Sequence, residues 1–193
     1  MKKHLHCLLV LLIAAWTTQV FAAEVAGVKL EDKARLGNAE LVLNGIGLRT
    51  KVFFKVYVIG LYLPAKAATG AAVLEQKGVK RAHLVLLRDV SAEDFSDALI
   101  EGLKNNSTEA ELAALKARID QFRQTIVAAG EVKSGLVVHL DFLPDSGTRL
   151  TLGGKQQGKD IPGEEFFNAL LRIWVGEKPI QDNLKEALLG KPL

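Results

Sequence analysis

The sequence predicts an α+β fold, in which a large antiparallel β-sheet packs against a layer of helices. Three observations support this. Residues 25–63 have a mostly strand-like pattern, with side-chain alternation clearest within 52–62. Two segments with apolar residues three and four positions apart follow, as in amphipathic helices. Strand alternation then returns before a final pair of helices, an order that favours helices gathered on one side of a sheet.

The strand pattern is most informative between Lys51 and Tyr62. One parity is mainly apolar and predicts the core face; it consists of Val52, Phe54, Val56, Val58 and Tyr62. The other parity is mixed. It places Arg49, Lys51, Lys55 and Tyr57 on one face, unless a turn or bulge near Thr50 changes which of them meet.

The middle of the chain carries helix start and stop signals. A short helix is expected over 69–76, ended by Gly78, and a strand over 81–87. Ser91 with Asp94 resembles a capping box, and Thr108 with Glu111 completes a fuller one. The second of these helices should end at Gly130.

The remaining third returns to strands and then to helices. A turn signal at 144–147 separates two hairpin strands, and a further short strand ends near Asp160. A helix is expected from Pro162, with a buried stripe made of Phe166, Phe167, Leu170, Leu171 and Trp174. A break at 176–179 precedes the last helix.

The N-terminus has the three regions of a cleavable signal peptide. Lys2 and Lys3 are followed by an apolar run over 8–16, and 20–22 offers small or short residues at the cleavage positions. We expect residues 1–22 to be the signal peptide, with a cut after Ala23 as the alternative, and 23–193 to be one domain. The chain is therefore expected to be periplasmic or secreted.

Charge, cysteine content and hydropathy exclude several classes of partner and cross-link for the mature domain. Removing Lys2 and Lys3 lowers the formal net charge from +3 to +1, which disfavours nucleic acid as a partner. The single cysteine, Cys7, lies in the signal, so the mature domain holds no disulfide. No apolar segment after residue 23 is long enough for stable membrane insertion. Nothing in the sequence identifies a protein partner.

The pattern offers no metal or cofactor site. His83 and His139 each stand alone within a strand pattern, without another ligand at a recognised spacing. No organic cofactor or metal is therefore expected.

Arg49 and Tyr57 are candidates for a ligand site of another kind, because a guanidinium fork and a phenolic hydroxyl can together hold a carboxylate beside an apolar layer.

Several segments of the sequence together resemble the chalcone isomerase-like family, in particular its secreted bacterial branch. They are residues 43–49 (LNGIGLR), 54–63 (FKVYVIGLYL), 87–91 (LRDVS) and 174–179 (WVGEKP). The resemblance covers nearly the whole mature chain. It implies an open-faced β-sandwich with a ligand cleft between the large sheet and the helices.

The residues at the family's functional positions favour a binding function over a catalytic one. Arg49 matches the substrate-holding arginine of chalcone isomerases, but Tyr57 stands where they carry a threonine. Phe95 and Gly102 stand at the positions of their catalytic tyrosine and active-site asparagine. Losing one donor to a developing oxyanion typically costs about 10²–10³-fold in rate. Arginine with tyrosine instead resembles the family's fatty-acid-binding, non-catalytic branch.

The leading hypothesis is thus a non-catalytic protein that binds a small apolar acid, fatty-acid-like in the best case, or another small molecule. Arg49 and Tyr57 would hold the carboxylate, and electrostatic support would come from Lys51, Lys55 and Arg88. The first alternative is a chalcone–flavanone-type isomerase, an intramolecular lyase. The second is an envelope interaction module whose cleft is collapsed, with Phe95 filling the space beside Arg49.

Overall fold

The computed structural model describes residues 22–191. The predicted signal peptide, apart from Ala22, lies outside the described residues. The strands are β1 (Ala22–Val25), β2 (Val28–Glu31), β3 (Lys33–Leu36), β4 (Ala39–Lys51), β5 (Phe54–Leu63), β6 (Lys80–Leu86), β7 (Val137–Leu143), β8 (Gly147–Leu152) and β9 (Lys155–Ile161). The helices are α1 (Gly70–Glu75), α2 (Ala92–Asn105), α3 (Glu109–Ala128), α4 (Glu164–Val175) and α5 (Asp182–Leu188).

Strands β3 to β9 form one seven-stranded sheet, in which each strand lies beside its neighbours in the chain. Every pairing in this sheet is antiparallel. Helices α2 and α3 are inserted between β6 and β7, and α4 and α5 follow β9. The predicted α+β fold, a large antiparallel sheet packed against helices, is confirmed.

The main core lies between the inner face of the sheet and the helices. Helix α4 contributes its largest side chains, since Phe166, Phe167 and Trp174 are at most 1% exposed. Helix α2 packs closely on α4 at Gly102, where an added Cβ would lie 2.8 Å from Ile173 Cγ2. Among residues 22–191, no helix combines the length and apolar character needed to cross a membrane.

The opposite face of the sheet is partly covered by the β1–β2 hairpin. Leu30 of this hairpin packs with Leu41, Leu43 and Tyr62 in a second apolar cluster. The expectation of one core face on β5 is therefore wrong: Tyr57 and the other odd positions face the helices, whereas Tyr62 lies under the hairpin. In a strand that is buried on both faces, apolar parity does not identify the face that meets the main core.

The predicted helix starts are mostly confirmed. The Ser91 side chain accepts a hydrogen bond from Asp94 N at the start of α2, and Thr108 and Glu111 form the capping box of α3. Helix α4 begins at Glu164 rather than at Pro162. Gly163 stands at its N-cap with φ 99°, a conformation that ends the preceding loop and starts the helix one residue later.

Candidate ligand-binding cleft

A cleft of about 490 Å³ lies between the β4–β5 hairpin, helix α2 and the segment that follows α4. Ligand sites in proteins usually have volumes of about 300–1,000 Å³ and mainly apolar walls. The apolar part of this wall consists of Val56, Val90, Phe95, Ala98, Leu99, Pro179 and Ile180. The cleft therefore has the size and the lining of a small-molecule site.

Tyr57 provides a buried donor in the wall of this cleft. Its side chain faces the helices, and its Oη accepts a hydrogen bond from Trp174 Nε1 at 2.9 Å. Burial raises the pKa of Tyr57 to about 12, against smaller lowering effects from the Trp174 hydrogen bond and the positive charge of Arg49. The phenol therefore stays protonated at neutral pH. Because Trp174 occupies one lone pair of the oxygen, the hydroxyl proton is available for another acceptor.

Arg49 lies directly opposite Tyr57 in the β4–β5 ladder. Its Nη1 donates to Gln181 Oε1 at 3.1 Å and to the backbone carbonyl of Thr50. Within residues 22–191, Nε and Nη2 make no hydrogen bond and no carboxylate pairs with this guanidinium. A guanidinium has five N–H donors, so most of the donor capacity of this cleft-lining residue has no acceptor within the described chain.

A β-bulge brings these two residues into register. Lys51 pairs with Phe54 and Thr50 with Lys55, so regular pairing would place Val56 opposite Arg49. The structure instead leaves Val56 unpaired and aligns Arg49 with Tyr57. Side chains directly opposite in an antiparallel pair share a face and lie about 5 Å apart at Cβ. The bulge thus puts the guanidinium and the phenol on the same wall.

Helix α5 packs against β4 beside Arg49. The missing side chains of Gly45 and Gly47 allow this close approach of the helix to the strand. A Cβ on Gly45 would lie 2.1 Å from Ala187 O, and one on Gly47 would lie 2.5 Å from a Leu184 methyl carbon. This contact positions Gln181, whose Oε1 accepts from Thr50 N at 2.9 Å as well as from Arg49.

Asn44 fixes the other end of the same helix. It is the extra residue of a second bulge, between Leu43 and Gly45. Its amide donates to Ala67 O at 2.9 Å and to Leu188 O at 2.7 Å, and its oxygen accepts from Ala67 N at 2.7 Å. The run 43–49 therefore serves to dock α5 and to orient Arg49.

The structure brings together four of the six residues that the sequence suggested for the site. Arg49, Lys51, Tyr57 and Phe95 line the cleft. Lys55 does not belong to its lining. Arg88 lies in an adjoining groove, where its guanidinium stands 4.6 Å from the centre of the Phe54 ring. Electrostatic support from these last two residues stays a prediction that the lining does not favour.

Other charged residues at the cleft come from α2 and from the segment after α4. Lys178 adds a cation, and Asp94 and Glu101 add two exposed carboxylates. Cations therefore outnumber anions by one in the lining, with Arg49 and Lys51 on the hairpin side. Two of the three cations thus lie on the hairpin side, whereas the α2 wall combines apolar side chains with the two carboxylates.

Phe95 and Gly102 both lie in this wall. Phe95 is 4% exposed and lines the same cleft as Arg49, whose volume of about 490 Å³ does not favour the collapsed-cleft alternative. Gly102 packs against Ile173, so an asparagine at this position would collide with α4. The two positions at which the sequence resemblance implies donors in chalcone isomerases therefore present a phenyl ring and a bare backbone here.

A second cleft of about 510 Å³ adjoins the first, beyond Asn105 and Lys178. Two of its three cations are already engaged within the chain, and the third, Lys178, also lines the first cleft. Arg172 Nη1 donates to Glu111 Oε1 at 3.0 Å, and Lys185 Nζ donates to Gly176 O at 2.7 Å. The Arg49 cleft therefore offers the better site for an anion.

Sequence reasoning missed the partners that orient Arg49 and Tyr57. Trp174 was expected only as a buried member of the α4 stripe, and Gln181 drew no notice. Both lie more than a hundred residues from their partners in the chain. Only the packing of α4 and α5 on the sheet brings them there.

The structure also joins two histidines that look isolated in the sequence. His83 and His139 pair across β6 and β7, with His83 Nδ1 and His139 Nε2 3.1 Å apart. Burial, together with nearby positive charge, lowers the pKa of each imidazole to about 4. They lie on the outer face of the sheet and take no part in the cleft.

The chain is similar to known proteins both in sequence, through a family model, and in fold, through a solved structure. A family model described as chalcone isomerase-like matches residues 22–190. Among solved structures, the chain is similar to an Arabidopsis thaliana fatty-acid binding protein, AtFAP1, with a TM-score of 0.64 and 13% sequence identity. That similarity covers 88% of this chain and 96% of the other, and at this identity it concerns the fold. None of the curated proteins compared with this chain matches it in sequence.

Proposed function

This chain belongs to the chalcone isomerase-like family, and from that premise we propose that it binds a small apolar carboxylate, such as a fatty acid, without transforming it. One observation carries the proposal. In the lining of an apolar cleft, Arg49 Nε and Nη2 and the Tyr57 hydroxyl carry hydrogens for which the described chain supplies no acceptor. A carboxylate supplies two acceptor oxygens and the compensating charge.

The two donors contribute differently to such a site. Hydrogen bonds to a charged group contribute about 1.5–3 kcal/mol each, so loss of one weakens binding about ten- to hundredfold. Arg49 supplies charge as well as two parallel donors, whereas Tyr57 supplies one neutral donor. Each methylene of the tail that leaves water against Val90 or Leu99 adds about 0.8 kcal/mol.

The structurally similar Arabidopsis protein is a fatty-acid binding protein, and this supports the ligand class. The absence of catalysis is supported by Phe95 and Gly102, which offer no hydroxyl or amide to a developing enolate. The isomerase alternative therefore lacks a favouring observation at the cleft. Turnover of a chalcone above the spontaneous rate, abolished in Arg49→Ala, would revive it.

A direct test compares a long-chain fatty acid with its methyl ester, by calorimetry on the purified mature protein. The ester keeps the tail and removes the negative charge. Wild type should bind the acid about ten- to hundredfold more tightly than the ester. Arg49→Gln should bind both equally, and Tyr57→Phe should lose about tenfold for the acid.

Arg123→Gln serves as the matched control, because Arg123 is an exposed arginine on α3 that pairs with Asp97 at 2.8 Å. Its affinity for the acid should equal that of wild type. Equal affinity of wild type for acid and ester, or an acid affinity that is indifferent to both cleft substitutions, would refute the carboxylate clamp.

Export is the second part of the proposal, supported by the sequence of the first 22 residues. The mature protein would then meet its ligand in the periplasm or outside the cell. Native mass spectrometry of protein isolated from the periplasm tests both parts. It should show a mass that begins at residue 23, and extraction should release an apolar acid that Arg49→Ala no longer carries. A full-length mass would refute cleavage.

A further inference from the structure

The tip of the β4–β5 hairpin exposes three apolar side chains in succession. Val52 is 80% exposed, Phe53 94% and Phe54 58%, and among the described residues these are the large hydrophobic side chains that are exposed. Single exposed apolar residues are normal on protein surfaces, but a contiguous group usually marks an interaction site. This group projects from the end of a hairpin, so its side chains can be buried in an apolar environment that has no preformed pocket for them.

The backbone at this tip is strained. Val52 has φ 57°, a left-handed conformation that β-branched residues rarely adopt. The β8–β9 hairpin of the same chain has a connection of equal length and uses Gly153 and Gly154, both at positive φ. An apolar β-branched residue at the strained position of an exposed turn adds nothing to the packing of the fold. Such strain is a reason to look for function.

Cations surround the apolar tip on both strands. Lys51 ends β4, Lys55 follows Phe54 on β5, and both are exposed. The Arg88 guanidinium lies over the Phe54 ring. Apolar side chains between exposed lysines match the interface of an anionic bilayer, where acyl chains lie just below phosphate groups.

The carboxylates of this region lie on the groove beside the hairpin rather than at its tip. Asp97 pairs with Arg123 at 2.8 Å, and Asp89 pairs with Lys133 at 3.4 Å and accepts from Ser134 N. Asp94 and Glu101 face the groove from α2. The hairpin end itself therefore carries positive charge alone.

The tip is also continuous with the mouth of the ligand cleft. Lys51 and Val56 line both the cleft and the groove that holds Val52 and Phe54. A surface that contacts the tip therefore lies against the cleft entrance. Docking by the tip does not depend on the identity of the ligand in the cleft.

We infer that the hairpin tip, residues 51–55, docks this protein reversibly on the surface of an anionic phospholipid bilayer. Val52, Phe53 and Phe54 enter the interface, and Lys51, Lys55 and Arg88 contact the phosphates. The protein does not span the bilayer. It rests with its cleft entrance toward the lipid, where apolar acids partition.

Flotation of the mature protein with vesicles tests this inference, using phosphatidylcholine alone and phosphatidylcholine mixed with phosphatidylglycerol. Wild type should float with the mixed vesicles, and less so as salt is raised. Phe53→Ser should weaken that binding at least about tenfold, since it removes the most exposed apolar side chain. Lys55→Gln should weaken it about fivefold. Lys155→Gln, at the β8–β9 hairpin, is the matched control and should change nothing.

Fatty-acid affinity separates docking from the cleft. Phe53 does not line the cleft, so Phe53→Ser should bind the acid like wild type, which also shows that the variant is folded. Wild type that ignores anionic vesicles, or Phe53→Ser that floats as well as wild type, overturns the inference. So does wild type that self-associates through the tip without vesicles and becomes monomeric in Phe53→Ser, because the occupant is then a second copy.

Discussion

The hydrogen bond between Trp174 and Tyr57 leads to the sharpest stability prediction. Both side chains are at most 5% exposed, and Trp174 Nε1 donates to Tyr57 Oη at 2.9 Å. Tyr57→Phe removes the acceptor and leaves a buried indole N–H unpaired. An unpaired buried donor costs about 1–3 kcal/mol. We expect Tyr57→Phe to lower the free energy of unfolding by about 2 kcal/mol, which corresponds to a fall in Tm of about 4–8 °C.

A double-mutant cycle isolates this bond from the packing of the rings. Trp174→Phe alone should cost several kcal/mol, because a large buried side chain is truncated. In that background the Tyr57 hydroxyl has lost its donor, so Tyr57→Phe should cost about 0.5 kcal/mol or less. The coupling free energy should therefore be about 1.5 kcal/mol.

Urea unfolding of the four proteins, followed by circular dichroism, measures these quantities. The slopes of the four transitions should agree, since the fold is unchanged. Additive costs for the two substitutions would refute the reasoning, as would Tyr57→Phe with wild-type stability. Either result would mean that the Trp174 N–H is satisfied by another group.

Three further predictions concern strain, close packing and pH. Val52→Asn should raise the free energy of unfolding by about 1 kcal/mol in urea, because asparagine tolerates positive φ; a loss would contradict the strain at this turn. Gly45→Ala should destabilise by about 3 kcal/mol and weaken acid binding, since its Cβ would meet the Ala187 carbonyl; unchanged stability would exclude the close contact. His83 and His139 have pKa values near 4 when folded and about 6.5 when unfolded, so the unfolded chain binds more protons between these values. The free energy of unfolding should therefore fall by about 2 kcal/mol from about pH 7 to about pH 5, allowing for partial exposure, and replacing both by glutamine should flatten this dependence.

Most of the fold could be predicted from local patterns, because most of its elements carry their own start, stop or periodicity signals. The caps at Ser91 and Thr108, the turn at 144–147 and the apolar stripe of α4 all act within a few residues. A sheet in which every strand neighbours the next one along the chain adds few long-range choices. The resemblance to the chalcone isomerase-like family supplied the rest, and the family match confirms it.

The cleft could be predicted only in part. Arg49 and Tyr57 were found, but their alignment depends on the bulge at Val56, which side-chain parity does not reveal. The core face of β5 was assigned wrongly, because the β1–β2 hairpin buries the second face of that strand. Contacts such as Gln181 with Arg49 join distant parts of the chain, and no local pattern encodes them.

The docking of α5 on β4 has a consequence for the order in which the protein becomes competent to bind. Gln181, which orients Arg49, lies 132 residues further along the chain. During synthesis or refolding, the strands can pair well before this residue is in place, so the sheet can exist while its arginine is still free to turn away. Arg49 therefore becomes oriented only when the C-terminal segment that carries Gln181 has docked. If the proposed site binds an apolar acid, a chain cut before Gln181 should keep the strand pairing and lose the affinity, so that binding would report complete folding.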